Sequence, residues 1–100
     1  MIMYYKPLPD SLTIKKSDIE GLGLFAVEDI RSGVLGIGWV KQDIFPDGYI
    51  RTPLGGFINH SDDPNCHKIN HEDVGVMWLV ATRDIKVGEE LTVRYTFYHV

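Results

Sequence analysis

One hundred residues with a single cysteine, 44% hydrophobic and 24% charged, suffice for one domain around one core and exclude an internal disulfide framework. Ten basic against fourteen acidic side chains give a formal net charge of -4 and a pI near 5.4. That balance speaks against direct nucleic-acid binding, where clustered Lys and Arg displace counterions, and suits a basic partner better. No apolar run reaches the roughly 20 residues that span a bilayer, and Met1 to Pro7 lacks the basic-then-apolar build of a secretory leader. The expected setting is intracellular, soluble and reducing, away from membranes.

Taken in order, residues 1 to 11 read as a Pro-punctuated extended arm, and Leu12-Thr13-Ile14-Lys15-Lys16 alternates as a half-buried strand should. Gly21-Leu22-Gly23 follows, a pair of glycines whose simplest use is a tight turn with positive φ. No third glycine at the required spacing and no helical pattern follow, so it is not a dinucleotide fingerprint. Two later segments echo one another: Ala26-Val27-Glu28-Asp29-Ile30-Arg31-Ser32-Gly33 and Ala81-Thr82-Arg83-Asp84-Ile85-Lys86-Val87-Gly88 share Ala-x-x-Asp-Ile-x-x-Gly. In each, Asp is expected to close a local side-chain turn, Ile to plug the core and Gly to take a special dihedral before a strand.

Val34 to Val40 is a strand whose glycines, Gly36 and Gly38, leave room for a backbone or a ligand to come close. Phe45-Pro46-Asp47-Gly48 reads as a turn, and Tyr49 to Thr52 as a short extended piece ahead of Pro53-Leu54-Gly55-Gly56. His67 to Asn70 alternates as a short strand, Val76 to Ala81 is apolar on both faces and so central, and Leu91 to Tyr95 is the last strand. With no sustained helical periodicity, the fold class is mostly β.

Between these elements lies Phe57-Ile58-Asn59-His60-Ser61-Asp62-Asp63-Pro64-Asn65-Cys66. An apolar anchor precedes an amide, an imidazole and a hydroxyl in succession, and a stiff turn-rich run follows. Alone it reads as a solvated loop; its company gives it weight. Cys66, His67 and His71 do not make a metal site, because neighbours on a strand face opposite ways and no fourth ligand is evident.

Together, Gly21-Leu22-Gly23-Leu24-Phe25-Ala26, the Asn59-His60-Ser61 stretch and Gly88-Glu89-Glu90-Leu91-Thr92-Val93-Arg94-Tyr95 resemble, in order, three motifs of the SET-domain family of S-adenosylmethionine-dependent protein-lysine methyltransferases. The resemblance covers roughly residues 12 to 98. It implies a SET-domain fold of several small sheets, with the C-terminal segment tucked in a knot-like way through the loop around Asn59 and His60. It also implies a cofactor site for S-adenosylmethionine: the backbone of Gly21, Leu22 and Gly23 and the amide of Asn59 would hold the methionine end, and His60 would meet the adenine edge. Tyr95 would be the catalytic residue, aiming its hydroxyl at a lysine amine of a protein or peptide substrate. The chain departs from many family members in having Asp62 where they carry a zinc-binding cysteine, so no metal is expected. Phe97 and Tyr98, with Tyr49 of the short insert, would then wall the substrate channel. A channel short of one wall leads to the expectation of a homodimer sharing the C-terminal or Lys41 to Gly56 surface. A non-catalytic module that binds a protein or peptide remains the other reading. A hydrolase built on His60 and Ser61 is disfavoured, since adjacent residues seldom have the geometry of a nucleophile and its base.

Overall fold

Apolar and polar residues alternate in most of the extended stretches, and the computed structural model, which describes residues 8–42, 48–71 and 73–95, turns them into strands. In chain order these are β1 (Leu12–Lys16), β2 (Leu22–Ala26), β3 (Gly33–Lys41), β4 (Tyr49–Arg51), a single helical turn α1 (Pro53–Gly56), β5 (Asn59–His60), β6 (Cys66–His71), β7 (Val76–Ala81) and β8 (Glu90–Val93). They form two four-stranded sheets, ordered β1-β2-β8-β5 and β4-β3-β7-β6. The mostly β class with small sheets is what is observed, and β7, apolar on both faces, is an inner strand. Residues 1–7 of the arm and all of the Phe45 to Gly48 turn but Gly48 lie outside the described residues, as do residues 96–100, on which the knot-like threading depends.

In the first sheet β1, β2 and β8 run antiparallel, with Leu24 opposite Leu91. The two-residue β5 adds in parallel, Asn59 opposite Thr92 and His60 opposite Val93. Leu24, Ile58, Leu91 and Val93 are fully buried there, and Leu79, Ile85 and Cys66 join them from the other sheet and its flanks. Each such side chain contributes about 1.5–3 kcal/mol by leaving water. Asn65 completes the edge of β8 beyond the reach of β5. Its Nδ2 donates to Glu90 O at 2.9 Å, its Oδ1 accepts from Thr92 N at 2.9 Å, and it is only 4% exposed.

Pro53-Leu54-Gly55-Gly56 is helical, which the sequence pattern did not reveal. Pro53 needs no hydrogen-bond partner at the first helical position, and Thr52 caps the turn by accepting from Gly55 N. The turn lies directly on β3. Thr52 N donates to Gly38 O at 2.9 Å, and a Cβ on Gly55 would overlap Gly38 O. The room left by Gly38 is thus taken by backbone.

The two Ala-x-x-Asp-Ile-x-x-Gly segments pair with each other. Ile30 and Ile85 exchange both backbone hydrogen bonds at 2.7 Å, and each is buried. Their glycines take the special dihedral as expected, Gly33 at φ 137 and Gly88 at φ 91. The aspartates do not close their own turns, which corrects the sequence reading. Asp84 Oδ1 accepts from Ser32 N and Asp29 Oδ1 from Val87 N, both at 2.9 Å, so each carboxylate caps the other copy.

Candidate functional site

Strand β8 brings the three sequence stretches together. Its antiparallel partner β2 carries Gly23 and follows directly on Gly21, its parallel partner β5 carries Asn59 and His60, and Tyr95 follows two residues after its end.

The loop ahead of β2 is folded by Ser17. Its N–H donates to Gly21 O at 2.8 Å, while its hydroxyl accepts from Ile19 N at 2.9 Å. Gly21 has φ +42 with open space where a Cβ would stand, and Leu22 beside it is 50% exposed. Gly23 is different. A Cβ there would overlap Glu90 Oε2 and come within 3.1 Å of Asn59 Nδ2, so this glycine makes room for two side chains of the protein itself.

Asn59 is 8% exposed, and its Nδ2 reaches Leu22 O and Glu20 O at 3.1 Å and Glu90 Oε2 at 2.8 Å. Ser17 Oγ donates to the Glu90 carboxylate at 2.8 Å. Glu89, one residue earlier, turns outward to Arg83 at 2.9 Å. The hydrogen bond to that guanidinium holds its carboxyl below the usual range. The consecutive glutamates therefore divide between an exposed turn and a part-buried cluster.

His60 Nδ1 accepts from Tyr95 N at 2.9 Å, which leaves the proton of the neutral ring on Nε2, 3.0 Å from Asp62 Oδ1. The Tyr95 ring is tilted 53° to the imidazole at 5.3 Å, and its hydroxyl donates to Ile58 O at 2.7 Å. Ser61 Oγ accepts from Asp63 N at 3.0 Å, so this serine closes the following turn. In the same run Asp62 reaches back to His60, and Asn65 reaches across to β8.

Gly21, Leu22, Gly23, Asn59, His60 and Tyr95 thus lie along three neighbouring strands and their ends. Tyr49 is half-buried on β4 of the other sheet, packed against the common core. Phe97 and Tyr98 lie outside the described residues. Ser17 and Glu90 were not singled out from the sequence, and Ile58 only as part of the apolar anchor, which its burial bears out. The one available signal was Glu90, an acidic residue leading a strand whose next three residues are buried. A recess of about 520 Å³, lined by Pro64, His67, Lys68, Met77 and Arg94 among others, opens on the β6–β7 side rather than at the glycine pair. Among the described residues there is no cluster of three or more His, Cys, Asp or Glu side chains fit for a metal ion, and no helix long and apolar enough to cross a membrane.

Two small sheets, one of them edged by a parallel Asn-His strand, with a tyrosine anchored on that histidine, define a class of fold as well as a site. The model of the SET domain matches residues 40–96, and the chain belongs to the SET-domain family. It is 40% identical over 62 residues to the histone-lysine N-methyltransferase SETD7 of Halocynthia roretzi, covering 54% of this chain and 16% of that protein. Over 44 residues it is 52% identical to the N-lysine methyltransferase KMT5A of Xenopus tropicalis, covering 42% and 13%. The histone-lysine N-methyltransferase trithorax of Drosophila virilis aligns with 97% of the chain at 28% identity, over only 3% of its own length. The chain therefore spans a small part of the curated relatives it matches. A crystal structure of a Plasmodium falciparum protein, described as a candidate histone methyltransferase, superposes with a TM-score of 0.67 at 24% identity, covering 90% of this chain and 96% of that one, a likeness of fold.

Proposed function

We propose that this SET domain is a protein-lysine N-methyltransferase that uses S-adenosylmethionine, with Tyr95 as its catalytic residue. The observation that carries the reading is the anchoring of Tyr95 at both ends, by His60 Nδ1 at its backbone and by Ile58 O at its hydroxyl, beside the Asn59 cluster.

The donor set fits the cofactor. Gly21 offers backbone with open space above it, Asn59 offers a buried carboxamide, and the half-buried His60 follows on the same strand. When bound, S-adenosylmethionine supplies a methyl group on a positively charged sulfur. The work left to the protein is to align a neutral lysine amine with that methyl and to exclude water. A free lysine has a pKa of about 10.4, so a site that desolvates the amine favours its reactive form. The Ile58 carbonyl and the Tyr95 hydroxyl, 2.7 Å apart, form a fixed polar pair at which a substrate amine can be oriented. Tyr95 acts as a positioner and not as a base, because an ordinary phenol keeps its proton at neutral pH.

The substrate is a lysine-containing protein or peptide, and the acidic net charge of -4 favours a basic one. The test is transfer of a labelled methyl group to a panel of lysine peptides of basic, neutral and acidic character. Label on lysine, lost in Tyr95→Phe, is the expected result. No transfer, together with retained binding of a partner by Asn59→Ala, would replace the enzyme with a binding module.

A further inference from the structure

The carboxamide of Asn59 has its orientation decided by its neighbours. Four atoms surround Nδ2: Ser17 Oγ, Glu20 O and Leu22 O at 3.1 Å, and Glu90 Oε2 at 2.8 Å. Two are carbonyls and one is a carboxylate, which only accept. The fourth, Ser17 Oγ, has a single hydrogen and lies 2.8 Å from both carboxylate oxygens of Glu90, so its hydrogen goes there. Toward Asn59 it too can only accept. An amide oxygen facing this ring of acceptors would gain nothing and be repelled by the carboxylate, so the NH₂ group points in and Oδ1 points out. Among the described residues no donor meets Oδ1.

Glu90 is the one charged member of the ring, and the backbone makes room for it. Gly23 has no Cβ at the point where one would overlap Glu90 Oε2. The same carboxylate leads β8, whose pairing with β2 fixes it opposite Phe25. Ser17, Gly23 and Glu90, scattered over the sequence, converge on one amide.

We infer that Glu90 is a positioning residue, which acts through Asn59 to turn an acceptor oxygen toward the ligand and so selects the α-ammonium of the cofactor's amino-acid end. The inference rests on the proposed S-adenosylmethionine site. It adds the residue that sets the polarity of that site, and it separates Glu90 from groups that touch the ligand.

The isosteric Glu90→Gln variant tests it, because a glutamine NH₂ can donate to Asn59 Oδ1 and let the amide turn round. Affinity is measured by calorimetry for two probes: S-adenosylhomocysteine, which keeps the amino-acid end, and 5′-methylthioadenosine, which lacks it. A charge-assisted hydrogen bond is worth about 1.5–3 kcal/mol, so the variant is expected to lose about tenfold or more for the first probe and less than about twofold for the second. Equal losses for both probes would mean that Glu90 only holds the structure, and no loss for either would mean that it sets nothing; each overturns the proposal. Should the variant not fold, side-chain NMR of the wild-type protein decides. The Asn59 NH₂ protons are expected to show contacts to Ser17 and Leu22, and contacts from them to the methionine protons of bound S-adenosylhomocysteine would contradict the inference. Failure of the wild type to bind either probe removes the cofactor reading itself, while the Asn59 contacts in the free protein still test the part played by Glu90.

Discussion

The hydroxyl of Tyr95 donates to the carbonyl of Ile58 at 2.7 Å, across 37 positions of sequence. Ile58 is 1% exposed and immediately precedes β5, so its carbonyl is held by core packing on one side and by strand pairing on the other. The phenol is thereby fixed before any ligand arrives. Tyr95→Phe is expected to cost about 0.5–1.5 kcal/mol in urea unfolding, the usual net worth of such a bond. It should leave affinity for S-adenosylmethionine within about twofold and lower turnover by about 100-fold or more, the scale that misplacement of a reacting group can reach. Full turnover in the variant would remove Tyr95 from the catalytic role.

Gly23 and Gly21 are expected to behave differently although they share one motif. Gly23→Ala forces a methyl into the Glu90 carboxylate, and overpacking of this kind costs about 1–3 kcal/mol. Gly21→Ala meets no atom and carries only the strain of φ +42, about 1–2 kcal/mol. A double-mutant cycle separates the two mechanisms: Gly23→Ala combined with Glu90→Ala should cost less than the sum of the single changes, because the second removes what the first strikes. Gly21→Ala combined with Glu90→Ala should be additive, within about 0.5 kcal/mol.

Cys66 is fully buried at the start of β6, and burial pushes its thiol from an ordinary 9.0 up to about 12. The unfolded chain releases this proton first as pH rises, so the unfolded state binds fewer protons and folding stability falls between about pH 9 and pH 12. Below that window the residue makes no pH-dependent contribution. Urea unfolding of wild type against Cys66→Ala, followed across this range, should show the extra alkaline loss only in the wild type. The native thiol should also resist iodoacetamide until the protein unfolds.

Ile85, with no exposed surface, holds the pairing of the two repeated segments, and Ile85→Ala is expected to cost about 2–5 kcal/mol. Asp29→Ala and Asp84→Ala should each cost less, about 0.5–1.5 kcal/mol, since each removes one exposed hydrogen bond to the other segment. Equilibrium unfolding of the three variants checks the order.

Much of this arrangement was legible in the residues. Period-two alternation marked β1, the doubly apolar run marked β7 as an inner strand, and the repeated Ala-x-x-Asp-Ile-x-x-Gly marked two buried isoleucines and two special glycines. What escaped was long-range. Asp29 and Asp84 carry local turn chemistry in their sequence context, yet 58 and 52 positions separate the hydrogen-bonded partners. The helical turn at Pro53 is too short to show a period, and its cap on Thr52 is recognisable only with β3 beneath it. Glu90 escaped because its one local mark, an acidic residue heading an apolar strand, does not tell what it meets. Only the approach of Ser17 from the loop ahead of β2, and of Asn59 from β5, gives it a different task.

Isothermal calorimetry asks whether the corner formed by the glycine pair, Asn59 and His60 binds S-adenosylmethionine, as proposed. The wild-type domain should bind the cofactor saturably with one site per chain, and Asn59→Ala, which removes the buried carboxamide, should weaken binding by about tenfold or more. Absence of cofactor binding by a folded wild-type protein, or equal affinity in the folded Asn59→Ala variant, would contradict the account.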